Sequence, residues 1–298
     1  MQAVAADHVT KRFDTVVAVS GLDLHVEQGA VFGLLGPNGA GKTTSLRMIM
    51  NILVPDEGTI QVLGQPASER TQDLIGYLPE ERGLYPAMGV LDHLVYLARL
   101  HGVSKAEATE RAQAWLERLG LGVRGEDKVE ALSLGNQQRV QLIAALVHQP
   151  EVLVLDEPFS GLDPTGVAAM SAVLAEQAAD GRTVLFSSHQ LDLVEDLCET
   201  VAIVNGGRLV AEGPVDQLQG QGRSRLAVRV AGDRAGRWAE GLAGVSVAGN
   251  DGGTVRLLLD AGTDPQDVLA AARAAGPVEH FATERRQLSE VFAEAVQP

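Results

Sequence analysis

Three glycines, a lysine and two threonines crowd into Gly36-Pro37-Asn38-Gly39-Ala40-Gly41-Lys42-Thr43-Thr44. The first eight match the pattern G-x-x-x-x-G-K-[ST], and chemistry accounts for the residue types. A chain that wraps a phosphate with its own N–H groups needs glycine for close approach and unusual dihedrals. A helix starting at the lysine adds the positive end of its dipole. Lys42 is then expected to reach the β- and γ-phosphates of a nucleotide, Thr43 to ligate Mg2+ and Thr44 to bond the α-phosphate. The competing reading is a plain glycine-rich turn. The strand expected before the loop and the helix expected after it favour the phosphate reading.

A second group closes the apolar run Val152-Leu153-Val154-Leu155 with Asp156, Glu157 and Pro158. A buried parallel strand tolerates acids only at its carboxyl end, where ligands bind. Asp156 suits Mg2+ ligation through water. Glu157, one residue on, points elsewhere and is the natural general base for an attacking water. Taken alone, an apolar run followed by Asp-Glu equally fits acids at a helix N-terminus. The phosphate loop upstream tips the balance to chemistry.

The elements that must hold these groups follow from patterning. Val16–Val19, Leu22–Val26, Ala30–Leu35 and Thr59–Leu63 read as strands, and Lys42–Ile52 as a helix. Helices are expected over Val90–Leu100, from a Ser104/Glu107 capping box to about Leu119, and over Ser133–His148 before Pro150. Strands at Val152–Leu155, Thr183–Ser187 and Val201–Asn205 then alternate with helices near Gly166–Asp180 and Leu191–Glu199. Such alternation implies a parallel sheet with crossover helices. Residues 1–219 thus form an α/β core with a helical subdomain at about 86–149.

Gly220-Gln221-Gly222 reads as a linker to a second domain, residues 220–298. There, strands at Arg225–Val230, Val245–Ala248, Thr254–Leu259 and Val278–Thr283 flank helices near Ala235–Leu242 and Asp264–Ala275, with a last helix at Leu288–Ala295. This βαββαβ order implies a small α+β, ferredoxin-like domain.

Composition narrows the function classes. The 298 residues carry 24 basic and 39 acidic side chains, a net charge of −15, which argues against a nucleic-acid partner. The lone Cys198 permits no internal disulfide, fits a reducing compartment and reads as a small buried hydrophobe. The first residues, MQAVAADHVTKRF, contain no apolar core of a signal peptide, and no run of about 18 apolar residues occurs, so no membrane span is expected.

Five further motifs lie in a set order. Lys11-Arg12-Phe13, Ile75-Gly76-Tyr77-Leu78-Pro79-Glu80, Leu132-Ser133-Leu134-Gly135-Asn136-Gln137-Gln138-Arg139-Val140, Ser160-Gly161-Leu162-Asp163 and Ser187-Ser188-His189 resemble, in turn, five segments of ATP-binding cassette (ABC) proteins. These are the adenine-stacking loop, Q-loop, signature motif, D-loop and switch histidine. The resemblance covers residues 4–216 and implies a P-loop NTPase fold of the ABC type. Leu134 and Asn136 depart from the commonest signature, L-S-G-G-Q, while Ser133 and Gly135 are kept. Glu80 stands where Gln is commonest, with Glu81 as the competing Q-loop residue.

The resemblance implies an ATPase using ATP and Mg2+. ATP contacts are expected from Phe13, Gly36, Pro37, Asn38, Gly39, Ala40, Gly41, Lys42, Thr43 and Thr44 of one chain, and from Ser133 and Gly135 of another. Thr43, Asp156 and Glu80 are the expected Mg2+ residues, Glu157 and His189 the catalytic pair, and Ser160 and Asp163 the D-loop. For Phe13 a core phenylalanine is the competing reading, and for His189 an ordinary surface histidine. The implied partners are a second copy or a related ATPase subunit, clamped head to tail around two ATP molecules, and a separate membrane permease. The Tyr77–Tyr85 run and the C-terminal domain resemble the branch that serves ABC-2-type permeases, which includes sodium-export and antibiotic-resistance ATPases. Residues 80–88 would form the groove for a permease helix, holding the chain to the cytoplasmic face of the membrane. DNA-repair relatives carry a long coiled coil between phosphate loop and signature, and translation factors carry two cassettes. In this chain Ser133 follows Lys42 by 91 positions, and there is one cassette.

Overall fold

In the computed structural model, which describes residues 1–220, 224–233, 236–260 and 262–296, the chain opens with a long hairpin. Strand β1 (Gln2–Phe13) runs antiparallel to β2 (Val16–Glu27). The two strands expected at 16–19 and 22–26 are one strand, because Gly21, at φ 60°, absorbs the interruption between them. Sequence reading missed β1, whose burial does not alternate strictly: the register slips around His8, at φ 52°.

The chain continues through β3 (Val31–Leu35), α1 (Lys42–Ile49), β4 (Glu57–Val62), β5 (Gln65–Pro66), α2 (Glu69–Gln72) and β6 (Ile75–Leu78). Helices α3 (Val90–Leu100), α4 (Lys105–Arg118) and α5 (Leu134–Leu146) make the helical subdomain. The Ser104 hydroxyl caps α4 by accepting from the Glu107 amide. Next come β7 (Val152–Asp156), α6 (Pro164–Ala179), β8 (Thr183–Ser188), α7 (Leu191–Leu197), β9 (Thr200–Asn205), β10 (Arg208–Pro214) and α8 (Val215–Gly220).

Two sheets result. The outer one is antiparallel, ordered β2-β1-β4-β5. The inner one is ordered β10-β9-β3-β8-β7-β6, parallel except for β10. Every residue of β3, β7 and β8 is buried, as expected of strands covered on both faces. Leu24, Phe32, Leu46, Ile49, Val154 and Leu185 belong to the core between these layers. Burying each such side chain contributes roughly 1.5–3 kcal/mol. Strands β3, β7 and β8 are neighbours, so their carboxyl ends bring the glycine-rich loop that starts at Gly36, the Asp156–Glu157 pair and His189 to one rim.

The structure divides into two compact units, the first comprising residues 1–215 with the chain's last stretch from Phe292, the second residues 216–291. Of the expected linker, Gly220 ends α8, while Gln221 and Gly222 lie outside the described residues. In the second unit β11 (Ser224–Val230), β12 (Val245–Asp251), β13 (Thr254–Leu259) and β14 (Val278–Glu284) form an antiparallel sheet ordered β12-β13-β11-β14. That is the ferredoxin-like arrangement. Helix α9 (Pro265–Ala275) packs on it, and α10 (Leu288–Val296) is the last element of the described residues. The helix expected over 235–242 is only a 3-10 turn, Arg237–Ala239, and Ala235 lies outside the described residues. Gly236 and Gly241, both at positive φ, bracket the turn and stop it growing. Among the described residues no helix is long and apolar enough to cross a membrane.

Candidate nucleotide site

The loop between β3 and α1 folds as its glycines allow. Gly39 and Gly41 have φ of 79° and 101°, and α1 begins directly after Gly41. A Cβ on Gly41 would stand 2.5 Å from the Ala18 carbonyl oxygen, and one on Gly36 2.4 Å from that of Val204. Only hydrogen fits at either place. The buried Lys42 ammonium donates to the carbonyls of Gly36 (2.7 Å) and Pro37 (3.3 Å). It therefore braces the loop from within.

This loop borders a cleft of about 410 Å³. Asn38, Gly39, Ala40, Gly41, Lys42, Thr43 and Thr44 line one wall, while Glu80, Asp156 and Glu157 supply acids. Phe13 lines it too and is 44% exposed, so the core reading of that ring is set aside. The Lys11 ammonium lies 5.7 Å from the ring centre. Ala18 also lines the cleft, a residue that sequence reasoning missed. Glu81 does not line it, in contrast to Glu80.

Asp156 is fully buried. Its Oδ1 accepts from the Ser187 hydroxyl at 2.6 Å, and its Oδ2 has no hydrogen-bond partner among the described residues. A buried, unsatisfied carboxylate oxygen is costly, and its placement on the cleft marks it for an outside partner. Glu157 has φ 49°, a left-handed conformation costing about 1–3 kcal/mol for a non-glycine residue. The twist separates it from its neighbour: Asp156 faces the strand ends, and Glu157 turns to Lys42 and His189. Glu157 Oε1 is 3.9 Å from Lys42 Nζ, and Oε2 is 2.8 Å from His189 Nδ1. His189 is 59% exposed yet tied to a largely enclosed acid, unlike an ordinary surface histidine.

Ser187 was expected only as part of a motif. Its hydroxyl accepts from the Glu157 amide at 2.9 Å while donating to Asp156, so one side chain holds both acids. A serine closing a buried strand is the signal that could have found it.

A family model described as "ABC transporter" matches residues 19–160, and one for the C-terminal domain of DrrA1-3-like ATP-binding proteins matches residues 213–296. The uncharacterized ABC transporter ATP-binding protein YhaQ of Bacillus subtilis is 41% identical over 97% of both chains. The chain belongs to the ABC transporter ATP-binding proteins. It is an ATP-binding subunit and an ATPase of that family. The daunorubicin resistance ATP-binding protein DrrA3 of Streptomyces coeruleorubidus is 36% identical over 97% of this chain and 94% of its own. A solved ATP-binding subunit of an ABC transporter superposes with a TM-score of 0.69 at 29% identity, covering 74% of this chain and 92% of its own.

The ABC signature segment stands apart from the cleft. Ser133 is exposed and caps α5, accepting from the Asn136 amide at 3.4 Å. Gly135 sits close to Gly161 and Leu162, where a Cβ would be 3.6 Å from both. Asp163 caps α6 through the Gly166 amide at 2.8 Å, and Ser160 is exposed. None of Ser133, Gly135, Ser160 and Asp163 lines the cleft of its own chain. Cys198 is buried, and burial pushes its thiol well above the ordinary range, as suits a core hydrophobe.

Proposed function

We propose that this ATPase drives export through a separate membrane permease of the ABC-2 type, with two copies closing head to tail around two ATP molecules. The observation that carries the reading is the Glu157 carboxylate, 2.8 Å from His189 and 3.9 Å from Lys42, on the cleft that the phosphate loop borders. Phe13 stacks on adenine. The backbone of residues 36–44 cradles the phosphates, with Lys42 on the terminal ones. Glu157 takes the proton of the attacking water, and His189 holds that carboxylate and meets the γ-phosphate. Ser133 and Gly135 come from the other copy, at the free N-terminus of its α5. Ser160 and Asp163 form the D-loop at the same junction.

The acids suit Mg2+. Asp156 Oδ2 is buried and unpartnered, and Glu80 lines the same cleft. Thr43, Asp156 and Glu80, which line one cleft, would hold the ion jointly with ATP. When bound it neutralises charge on the phosphates.

Export is supported by relatives named for drug resistance, DrrA3 and the linearmycin resistance ATP-binding protein LnrL of Bacillus subtilis, the latter 35% identical over 72% of this chain. The ferredoxin-like unit matches the C-terminal model of the DrrA group and is read as an accessory domain of residues 220–298. The chain then works at the cytoplasmic face of the membrane through its permease, with no nucleic-acid partner.

Glu157→Gln tests the catalytic assignment. Hydrolysis is expected to fall by about 10²–10⁴-fold while ATP still binds and dimers accumulate. Near wild-type turnover overturns the assignment. Affinity purification from solubilised membranes tests the transport reading, which fails if no multi-spanning protein co-purifies.

A further inference from the structure

The signature helix carries two glutamines that the proposed chemistry does not use. Gln138 and Gln141 are three residues apart on α5, hence on one face, and each is only 3% exposed. Each amide group spends its N–H on the carbonyl of a proline beside one of the cleft's acids. Gln138 Nε2 donates to Pro158 O at 2.8 Å, immediately after Glu157. Gln141 Nε2 donates to Pro79 O at 3.3 Å, immediately before Glu80. One helix face therefore grips both loops that bring carboxylates to the cleft.

The grip on Pro158 matters more, because Glu157 is strained. Its φ of 49° needs outside support, since a residue before proline is already confined to few conformations. Three hydrogen bonds surround it. The Glu157 amide donates to Ser187 Oγ, the Ser160 amide donates to the Glu157 carbonyl at 3.1 Å, and Gln138 holds the following carbonyl. The first anchors Glu157 to the sheet and the second lies within the turn. Among the described residues, the hydrogen bond from Gln138 ties it to α5, the helix capped by Ser133.

We infer that Gln138 is a positioning residue for Glu157, aiming the base by fixing the Glu157–Pro158 backbone and linking that aim to the signature helix. The inference rests on the catalytic reading of Glu157 given above. Gln138 is buried, does not line the cleft and acts through the acid alone.

The test uses the full chain. Gln138→Met keeps length and volume but removes the N–H. It is expected to lower kcat by about tenfold to a hundredfold and leave KM for ATP within about twofold, as for a base displaced by about an ångström. Gln138→His, whose ring N–H has similar reach, is expected to recover most of the loss. The deciding measurement is a double-mutant cycle with Glu157→Gln. If Gln138 works through Glu157, adding Gln138→Met to Glu157→Gln changes the residual single-turnover rate by less than about twofold. Wild-type kcat in Gln138→Met overturns the inference, as do losses that multiply in the double variant. Should Gln138→Met not fold, Gln138→Leu, which also lacks the N–H, takes its place in the same cycle, and wild-type kcat in that variant overturns the inference. A Glu157→Gln chain that hydrolyses normally sinks the catalytic reading instead, so the two failures are distinct.

Discussion

Glu157 Oε2 and His189 Nδ1 lie 2.8 Å apart although 32 residues separate them in sequence. The contact exists because β7 and β8 are parallel neighbours that end at the same level, with Asp156 paired to Ser187 in register. His189→Ala removes the ring that holds the Glu157 carboxylate, the proposed base. Turnover is expected to fall by about 10²-fold or more with ATP affinity little changed, read by steady-state hydrolysis alongside nucleotide titration. Equal loss of both would assign His189 to binding alone.

Gly39 and Gly41 provide a matched pair. Both have positive φ, but a Cβ on Gly39 meets nothing within 4 Å, whereas one on Gly41 meets the Ala18 oxygen at 2.5 Å. Gly39→Ala carries backbone strain of about 1 kcal/mol and retains ATP binding. Gly41→Ala adds a clash with backbone and is expected to weaken ATP binding by more than about tenfold, since the loop must shift. Equal affinities for the two variants would contradict the geometry.

The exposed Phe13 ring is assigned to stacking. Phe13→Ala should weaken ATP binding by roughly tenfold, the worth of one base–aromatic stack. Pyrophosphate, which has no base, should bind the variant as it binds the wild type. A parallel loss for both ligands would mean that Phe13 supports the fold of β1 rather than the adenine.

Ser133 and Lys42 are assigned to different ATP molecules. Ser133→Arg should cut turnover by about 10²-fold or more and leave ATP affinity of the isolated subunit unchanged. If affinity falls with turnover, the shared-site arrangement is untenable.

His148 predicts an acid sensitivity unrelated to catalysis. Its ring stacks on His101 at 3.9 Å and its Nε2 lies 3.2 Å from the Ile75 carbonyl. Burial first, then His101, lower its pKa to about 4. An unfolded histidine titrates near 6.5, so between the two values the unfolded chain binds the extra proton. The stabilising contribution is thus complete above about pH 6.5 and is lost as pH falls toward about 4, to the extent of roughly 1–3 kcal/mol. Urea midpoints measured across that range should drop more steeply for the wild type than for His148→Gln. Identical slopes would count against the assignment.

The local parts of the site could be read from sequence because they are punctuated locally. A fully apolar β7 ending in two acids, and glycines between β3 and α1, need no long-range knowledge. The same holds for the capped start of α4 at Ser104. What escaped depends on pairing across the chain. Strand β1 escaped because Asp7, His8 and Lys11 blur its alternation, and only its partners β2 and β4 give it a register. The helix expected near 235–242 shrank because the glycines at 236 and 241 outweigh the apolar pattern between them. The role of Ser187 was hidden because its partner acids are about thirty positions away.

Ser187 has a single hydrogen to give. The Glu157 amide can only donate, so that hydrogen must be turned toward Asp156 Oδ1. The bond has one polarity and cannot reverse without stranding an N–H. One oxygen of Asp156 is thereby committed to Ser187, and Oδ2, buried and without a partner among the described residues, is left for an outside one. A hydroxyl out of reach of the reaction decides which lone pairs are left for it.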